Sequence, residues 1–374
     1  MKFACTKDNL LHALACVSPI AGKQVNLPIL QNIFISMKTS EPKIVSTNLE
    51  ITITTQVRAK VDIEGDYTIP AKIFLDYIST VPGDRVDAEL KEGGLELQLG
   101  NSKTTLKGMD ASEFPLIPAI ASNVQYNLEA KVLLKSISQV LFAASKSDAR
   151  PQFAGVLFNF SPERAKGKLV LAATDSFRLA EKTIALLEGS TEQNTRVIVP
   201  ARTVSEVARI ISVSEQTSPV VVRVSENQIS FSISGTEVTS RLIDGQYPQY
   251  EHIIPTVHPT QLSVMKDELI RQVKAASLFT AKGVGAIQIS CKPSEKRIHI
   301  IANSSQTGDH TGALDVEGEG TDTQVYLNHR YILDGLSAIE NERTVLKVAQ
   351  SENPVLLVPQ MDRDYLYMIM PIKQ

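Results

Sequence analysis

No stretch of the 374-residue chain approaches the ~18 uncharged residues of a membrane-spanning helix. Residues 1–10 carry no apolar core behind Lys2, so neither a membrane span nor a secretion signal is expected. Cysteine is scarce: Cys5, Cys16 and Cys291 are an odd number without CxxC spacing, which gives no basis for a disulfide framework or a zinc site and fits a reducing, cytoplasmic setting. A basic excess is also missing. The formal net charge of -3 argues against the usual nucleic-acid binder, which is basic overall.

The words of catalysis are absent too. There is no GxSxG elbow to expose a nucleophile, so Asp309-His310 and the serines near it lack the rest of a triad. There is no GxxxxGK[ST] loop, and Gly283-Val284-Gly285 and Gly318-Glu319-Gly320 are too short to cradle a nucleotide. His252 and His258 flank Pro255 without a third ligand at metal spacing, and are expected to be exposed loop residues. A hydrolase or transferase therefore finds little support, and no cofactor or metal is expected.

What is present is a soluble globular composition, 43% hydrophobic and 21% charged, in a chain long enough for two or three domains. One pattern recurs three times at a period of about 125–130 residues. Each copy begins with a strand-like segment running into an amphipathic helix: Met1-Lys2-Phe3 into 8–17, Tyr126-Asn127-Leu128 into 131–144, and Gln261-Leu262-Ser263-Val264 into 266–279. Leu10, Leu14 and Val17, then Leu133, Ile137, Val140 and Ala144, then Leu269, Val273 and Ala276 fall at helical intervals. β-rich stretches follow at 32–37 with 51–57, 155–160 with 169–173, and 287–291 with 297–301.

Each copy then has a strand entering a second helix through similar words. These are Tyr67-Thr68-Ile69-Pro70-Ala71-Lys72, Val197-Ile198-Val199-Pro200-Ala201-Arg202 and Val325-Tyr326-Leu327-Asn328-His329-Arg330, with Pro70 and Pro200 where a starting helix tolerates proline. A two-strand pattern closes the copy, clearest where Val86, Ala88 and Leu90 alternate before Gly93-Gly94 and Leu95, Leu97 and Leu99 after it. Proline-rich turns at Phe114-Pro115-Leu116-Ile117-Pro118 and from Tyr247-Pro248 to Ile254-Pro255 mark boundaries near 122 and 256, dividing the chain into 1–122, 123–256 and 257–374. The expected fold class is α+β: three repeated domains, each with two helices on antiparallel sheets.

Like repeats with matching sheet edges can stack head to tail and close into a ring. A domain of ~125 residues is roughly 36 Å across; three in a ring leave a hole of about 5 Å and six leave one of about 35 Å. Only six domains admit a duplex, whose two grooves are each about 8 Å deep. The repeated helices carry Lys7, Lys72, Lys131, Lys135, Lys146, Arg202, Arg209, Lys266, Arg271, Lys274 and Lys282 outside their apolar stripes. Such faces would attract phosphates without reading bases, while Glu89, Glu92, Glu96 and the acidic run 315–322 would repel DNA elsewhere. Ordinary solvated helix faces would carry the same residues.

At this point the chain resembles a known family, the bacterial DNA polymerase III β subunit, over its whole length. The segments that carry the resemblance are Leu27-Pro28-Ile29-Leu30-Gln31-Asn32, Ser46-Thr47-Asn48-Leu49-Glu50, Ala173-Thr174-Asp175-Ser176-Phe177-Arg178-Leu179-Ala180, Gly245-Gln246-Tyr247-Pro248-Gln249-Tyr250 and Met368-Ile369-Met370-Pro371-Ile372-Lys373. The resemblance implies a non-catalytic, ring-forming homodimer of three-domain protomers with the DNA clamp fold, encircling double-stranded DNA. Leu106 matches one side of the protomer contact, and Leu278 and Phe279 match the other; the last two also suit simple core packing.

The resemblance further implies a pocket for short peptides of the replicative polymerase catalytic subunit, the clamp loader, and other polymerases and repair proteins. Matching positions are Arg150, Phe153, Thr174, Phe177, Leu179, Pro248, Ile253, Tyr331, Met368, Met370 and Pro371. Methionines and apolar side chains suit varied peptide anchors, although a domain-interface core would use the same set and 365–370 also reads as a strand. Ser176-Phe177 departs from the family's frequent Gly-His, and Lys373-Gln374 from its frequent ending in Arg and an apolar residue, so peptide preference does not carry over. The DNA-facing positions match Lys23, Gln24, Lys72, Ser147 and Arg202; the first cation comes one residue early, and His12 replaces a lysine. A scaffold that binds proteins but not DNA remains the other reading of the pattern.

Overall fold

The computed structural model describes residues 1–22, 27–115, 120, 124–147, 149–214, 218–281 and 283–373. Lys23, Gln24 and Lys282 lie outside the described residues. Six helices occur among them: α1 (Lys7–Val17), α2 (Ala71–Thr80), α3 (Ala130–Val140), α4 (Ala201–Val213), α5 (Lys266–Ser277) and α6 (His329–Ala338). They are the two per repeat that the periodicity predicts. Two end earlier than the apolar pattern suggests, because residues Leu141–Ala143 tighten into a 3-10 turn and α5 stops at Ser277.

Sequence explains where the helices start. Thr6 caps α1 by accepting the Asn9 N–H at 3.3 Å, and Asn328 caps α6 by accepting the Arg330 N–H at 2.9 Å. Pro70 stands just before α2, which buries Ala71, Phe74 and Ile78. The ammonium of Lys7 donates to the Val81 carbonyl at 2.7 Å and that of Lys266 to the Ile339 carbonyl at 2.9 Å. The first residue of each of these helices thus satisfies a carbonyl just beyond the second helix of its repeat.

The chain forms two compact units. The first comprises Met1–Lys131, Leu187–Thr191 and Ser205–Leu242. It holds a five-stranded antiparallel sheet in the order Ala59–Ile63, Lys2–Thr6, Arg85–Lys91, Gly94–Leu99, Ser102–Leu106. It also holds an eight-stranded sheet in which Ile51–Gln56 of the first repeat pairs with Thr236–Arg241 of the second. The buried hydroxyls of Thr55 and Thr236 meet across this junction at 3.1 Å.

The second unit comprises Val132–Leu186, Glu192–Val204 and Ile243–Gln374. Its nine-stranded sheet is likewise shared between repeats, with Arg178–Ala185 of the second pairing with Tyr365–Ile369 of the third. A four-stranded sheet runs Gly308–Asp315, Arg297–Ser304, Ala286–Lys292, Thr323–Asn328. Against the central strand of the nine-stranded sheet, Tyr365–Ile369, α6 comes unusually close: a Cβ on Gly335 would lie 2.2 Å from the Tyr367 ring, so only glycine fits there.

No helix of the described residues is long and apolar enough to cross a membrane. The three cysteines are buried free thiols, and no group of acidic, His or Cys side chains among the described residues could hold a metal.

Candidate peptide-binding cleft

The second unit carries a cavity of about 590 Å³ between the segment 144–153, the turn 175–178 and the start of α6. Four of the residues expected to bind peptide line it: Arg150, Phe153, Phe177 and Tyr331. Ser147, expected to face DNA, lines the same cavity.

The turn that shapes one wall is built by its own side chains. Thr174 Oγ1 accepts the Ser176 N–H at 3.1 Å and donates to the Arg178 carbonyl at 2.6 Å. Asp175 Oδ1 accepts the N–H groups of Phe177 and Arg178 at 2.9 and 3.0 Å. The bonding leaves Ser176 at φ 80°, a left-handed conformation that favours glycine. A glycine would hold this conformation without strain, and Ser176 bears it at some cost. The corresponding turn in the first repeat has Leu49 at φ 75°.

Held by this turn, Phe177 is 61% exposed and stands on the cavity wall rather than under it. Its carbonyl accepts the Met370 N–H at 2.8 Å, which ties the C-terminal segment to the turn. Below lies an apolar cluster of Leu157, Ala172, Leu179, Ile198, Leu356 and Met368 with Tyr247 and Tyr250, and Met370 packs at its edge. Leu179 and Met368 are therefore supporting core, on strands paired Leu179 to Met368. The strand reading of 365–370 holds for Tyr365–Ile369, and Met370 lies just beyond the strand.

Ile253 is exposed at the end of the 3-10 turn Tyr250–Ile253, while Pro248 and Pro371 are half-buried. Beneath the cluster's edge the Tyr250 hydroxyl donates to the Glu181 carboxylate, which also pairs with Arg164 at 2.7 Å. Burial and the Glu181 charge push the Tyr250 phenol well above its ordinary pKa.

One residue that sequence reasoning did not single out organises the cavity. Arg178, 8% exposed, bonds Asp175 at 3.0 Å, Asp334 at 2.5 Å and the Phe142 carbonyl at 3.0 Å. Its guanidinium also sits 4.6 Å over the Tyr331 ring and 5.5 Å over Phe142. The signal was present in Thr174-Asp175-Ser176-Phe177-Arg178-Leu179: a short acidic turn residue followed three positions later by arginine.

Lys72 and Arg202 are exposed on the first turns of α2 and α4. Five other helix cations expected to be free are paired, Arg271 most loosely, with Glu268 at 4.0 Å. Besides Lys7 and Lys266, Arg209 donates to the Ala15 and Cys16 carbonyls at 2.9 and 2.6 Å, and Lys135 meets Glu340 at 2.5 Å. Leu106 is 7% exposed on an outer strand, whereas Leu278 is 71% exposed, so core packing within the protomer does not account for it. Phe279 stacks on His310 with centroids 5.9 Å apart.

One histidine expectation needs correction, while His252 is exposed as expected. His258 is half-buried rather than exposed, and burial holds its pKa below the ordinary value. His310 lies on a strand with its ring against Phe279 and its Nε2 without a hydrogen-bond partner.

The comparisons with known proteins cover the whole chain. Models of the DNA polymerase III beta subunit match in three pieces: the N-terminal domain at residues 1–118, the central domain at 127–249 and the C-terminal domain at 251–373. The beta sliding clamp of Staphylococcus epidermidis is 28% identical over 385 residues, covering 100% of this chain and 99% of its own. That of Synechococcus elongatus is 26% identical over 376 residues with the same coverage. The DNA polymerase sliding clamp of Bacillus subtilis superposes with a TM-score of 0.92 at 25% identity, covering 100% of this chain and 99% of that one. A sliding clamp from Pseudomonas aeruginosa, at 23% identity and full coverage of both chains, gives 0.93 and attests the fold. The chain belongs to the DNA polymerase III β subunit family, the bacterial sliding clamps.

Proposed function

We propose that this chain is a DNA polymerase processivity factor: two copies join head to tail in a ring that encircles double-stranded DNA, slides without sequence preference and catalyses nothing. In this reading the cleft beside Arg178 receives short peptides from the replicative polymerase catalytic subunit, the clamp loader, and other polymerases and repair proteins. The repeats 1–122, 123–256 and 257–374 supply three of the six domains.

The observation that carries the ring is the pattern of sheet sharing. At each junction within the chain, the strand after an equivalent turn in one repeat pairs with the last strand of the next: Ile53 faces Val238, and Ala180 faces Tyr367. Among the described residues the third repeat's version of the first strand, Gly308–Asp315, and the first repeat's version of the second, Ser102–Leu106, are both outer strands paired on one side only. An open edge of each kind is what a second copy would complete.

The register follows from tracing pairings across the sheets. The rows Phe3, Ala88, Leu97, Thr104; Tyr126, Val222, Phe231, Val238; and Leu262, Leu346, Leu357, Tyr367 make Thr104 the counterpart of Val238 and Tyr367. The rows Phe34, Val45, Thr54; Leu157, Ala172, Glu181; and Gln288, Ile301, Thr311 make His310, one residue earlier, the counterpart of Ile53 and Ala180. Thr104 of one copy would then face His310 of the next. Exposed Leu278, and Phe279 beside His310, suit the same contact.

Lys72, Arg202 and Ser147 are proposed to face DNA, with Lys23 and Gln24. A neutral or acidic exterior and scattered cations would hold the duplex loosely. The deciding experiment measures solution mass by light scattering and then retention on circular DNA after loading. Twice the 40.9 kDa protomer mass, with release on linearisation, supports the ring. A monomer with no topological retention favours a protein-only scaffold.

A further inference from the structure

A carboxylate stands inside the nine-stranded sheet where an apolar side chain would pack. Glu181 is buried and is flanked across the strands by Ala172 and Leu366. Such a group is costly to bury unless it is both paired and hydrogen-bonded. Arg164 grips it with two bonds, Nη1 donating to Oε1 at 3.1 Å and Nη2 to Oε2 at 2.7 Å. A buried ion pair adds little net stability over an apolar pair of the same volume, so what it contributes is direction. The group it directs is the Tyr250 hydroxyl, which donates to Glu181 Oε2 and accepts from Arg164 Nη2 at 3.2 Å.

From Tyr250 the contacts run to the cleft through aromatic rings. Tyr250 and Tyr247 meet edge to face with centroids 6.2 Å apart, and Tyr247 meets Phe153 in the same way at 6.3 Å. Phe153 lines the cavity. Tyr250 also begins the turn Tyr250–Ile253, whose last side chain is exposed. Other bonds to the segment are longer: Arg196 reaches the Tyr247 and Pro248 carbonyls at 3.4 and 3.3 Å, and the Tyr247 hydroxyl reaches the Ala172 carbonyl at 3.4 Å.

We propose that Glu181, held by Arg164, is a positioning residue for the cleft: through the Tyr250 hydroxyl it fixes the segment 247–253, and with it the Phe153 wall and the Ile253 side chain. This inference rests on the cleft being the peptide site, but Glu181 touches no peptide. It sets where the groups that do so stand.

The test titrates a fluorescein-labelled nine-residue peptide with leucine and phenylalanine anchors into the full chain by fluorescence anisotropy. Tyr250→Phe removes one oxygen and no core volume, and is expected to weaken binding about threefold; Glu181→Ala should weaken it about tenfold. Glu181→Gln keeps an oxygen that accepts the Tyr250 hydroxyl and should stay within about twofold of the parent. The double variant Glu181→Ala, Tyr250→Phe should bind no more weakly than Glu181→Ala alone, because both changes cut one link. Thermal unfolding establishes that each variant is folded, and if Glu181→Ala is not, Tyr250→Phe against the parent decides.

Unchanged affinity in Tyr250→Phe and Glu181→Ala overturns the positioning role and leaves the peptide site intact. Additive losses, with Glu181→Gln as weak as Glu181→Ala, would mean a general loosening of the sheet and overturn it as well. A parent chain that does not bind the peptide removes both readings.

Discussion

Arg178 Nη1 lies 2.5 Å from Asp334 Oδ2 while the same guanidinium covers the Tyr331 ring at 4.6 Å. One side chain therefore joins the turn 175–178 of the second repeat to α6 of the third. The two partners are not equivalent. The Arg178 side chain is nearly buried, and that of Asp334 is about half exposed.

Removing Arg178 leaves Asp175 partly buried without its partner and opens space against two aromatic rings. Arg178→Ala is expected to lower unfolding free energy by about 3 kcal/mol, and Asp334→Ala by no more than about 1 kcal/mol. Urea denaturation of both variants checks the ranking. Equal losses would mean that the aromatic stacking contributes nothing.

Ser176→Gly should act in the opposite direction. The left-handed backbone costs serine what it does not cost glycine, so a gain of up to about 1 kcal/mol is expected. The gain is partly offset by the freer unfolded chain. A clear loss of stability would show that the serine hydroxyl, 3.4 Å from Arg150, matters more than the strain.

Much of the fold was legible because its signals are local. Helical spacing at Leu133, Ile137 and Val140, the Pro70-Ala71 and Pro200-Ala201 words and the Gly93-Gly94 hairpin depend on near neighbours, and each lies on the element expected. The sheet sharing that joins repeats was not legible, since Thr55 and Thr236 are 181 positions apart and nothing local marks the pair. The cleft was half legible. Phe177 and Arg150 came from the resemblance, whereas the role of Arg178 depends on Asp334, which is distant in sequence. The committed cations Arg209 and Lys135 show the same limit, for a basic residue on a polar helix face looks free until its partner carbonyl or carboxylate is known.

Phe177 and the C-terminal segment should matter for peptides and not for assembly. Phe177→Ala removes an exposed wall, and truncation after Ile369 removes the backbone bond from Met370 to the Phe177 carbonyl. Each is expected to weaken a clamp-binding peptide roughly tenfold, with the solution mass unchanged. Unchanged peptide affinity in both variants would locate the peptide site elsewhere.

The sharpest check of the ring is its register. Cysteines at Thr104 and His310 are expected to face each other across copies, within the Cα separation a disulfide needs. Mild oxidation of the double variant should give covalently closed dimers, while Thr105→Cys with His310→Cys should not, because a shift of one residue turns the side chain to the other face of the sheet. The native thiols will not interfere. Burial pushes Cys5 and Cys291 up to about 12 and raises Cys16 as well, so near neutral pH they stay protonated and shielded. The same shifts fix the sign of a pH effect: a thiol that stays protonated in the folded chain but ionises near its ordinary value when unfolded stabilises the fold below about pH 9 and loses that contribution as pH rises toward 12. Oxidation should therefore be run near pH 7.5. Cross-linking by the Thr105 pair instead of the Thr104 pair would shift the proposed register by one, and cross-linking by neither would separate the two edges altogether.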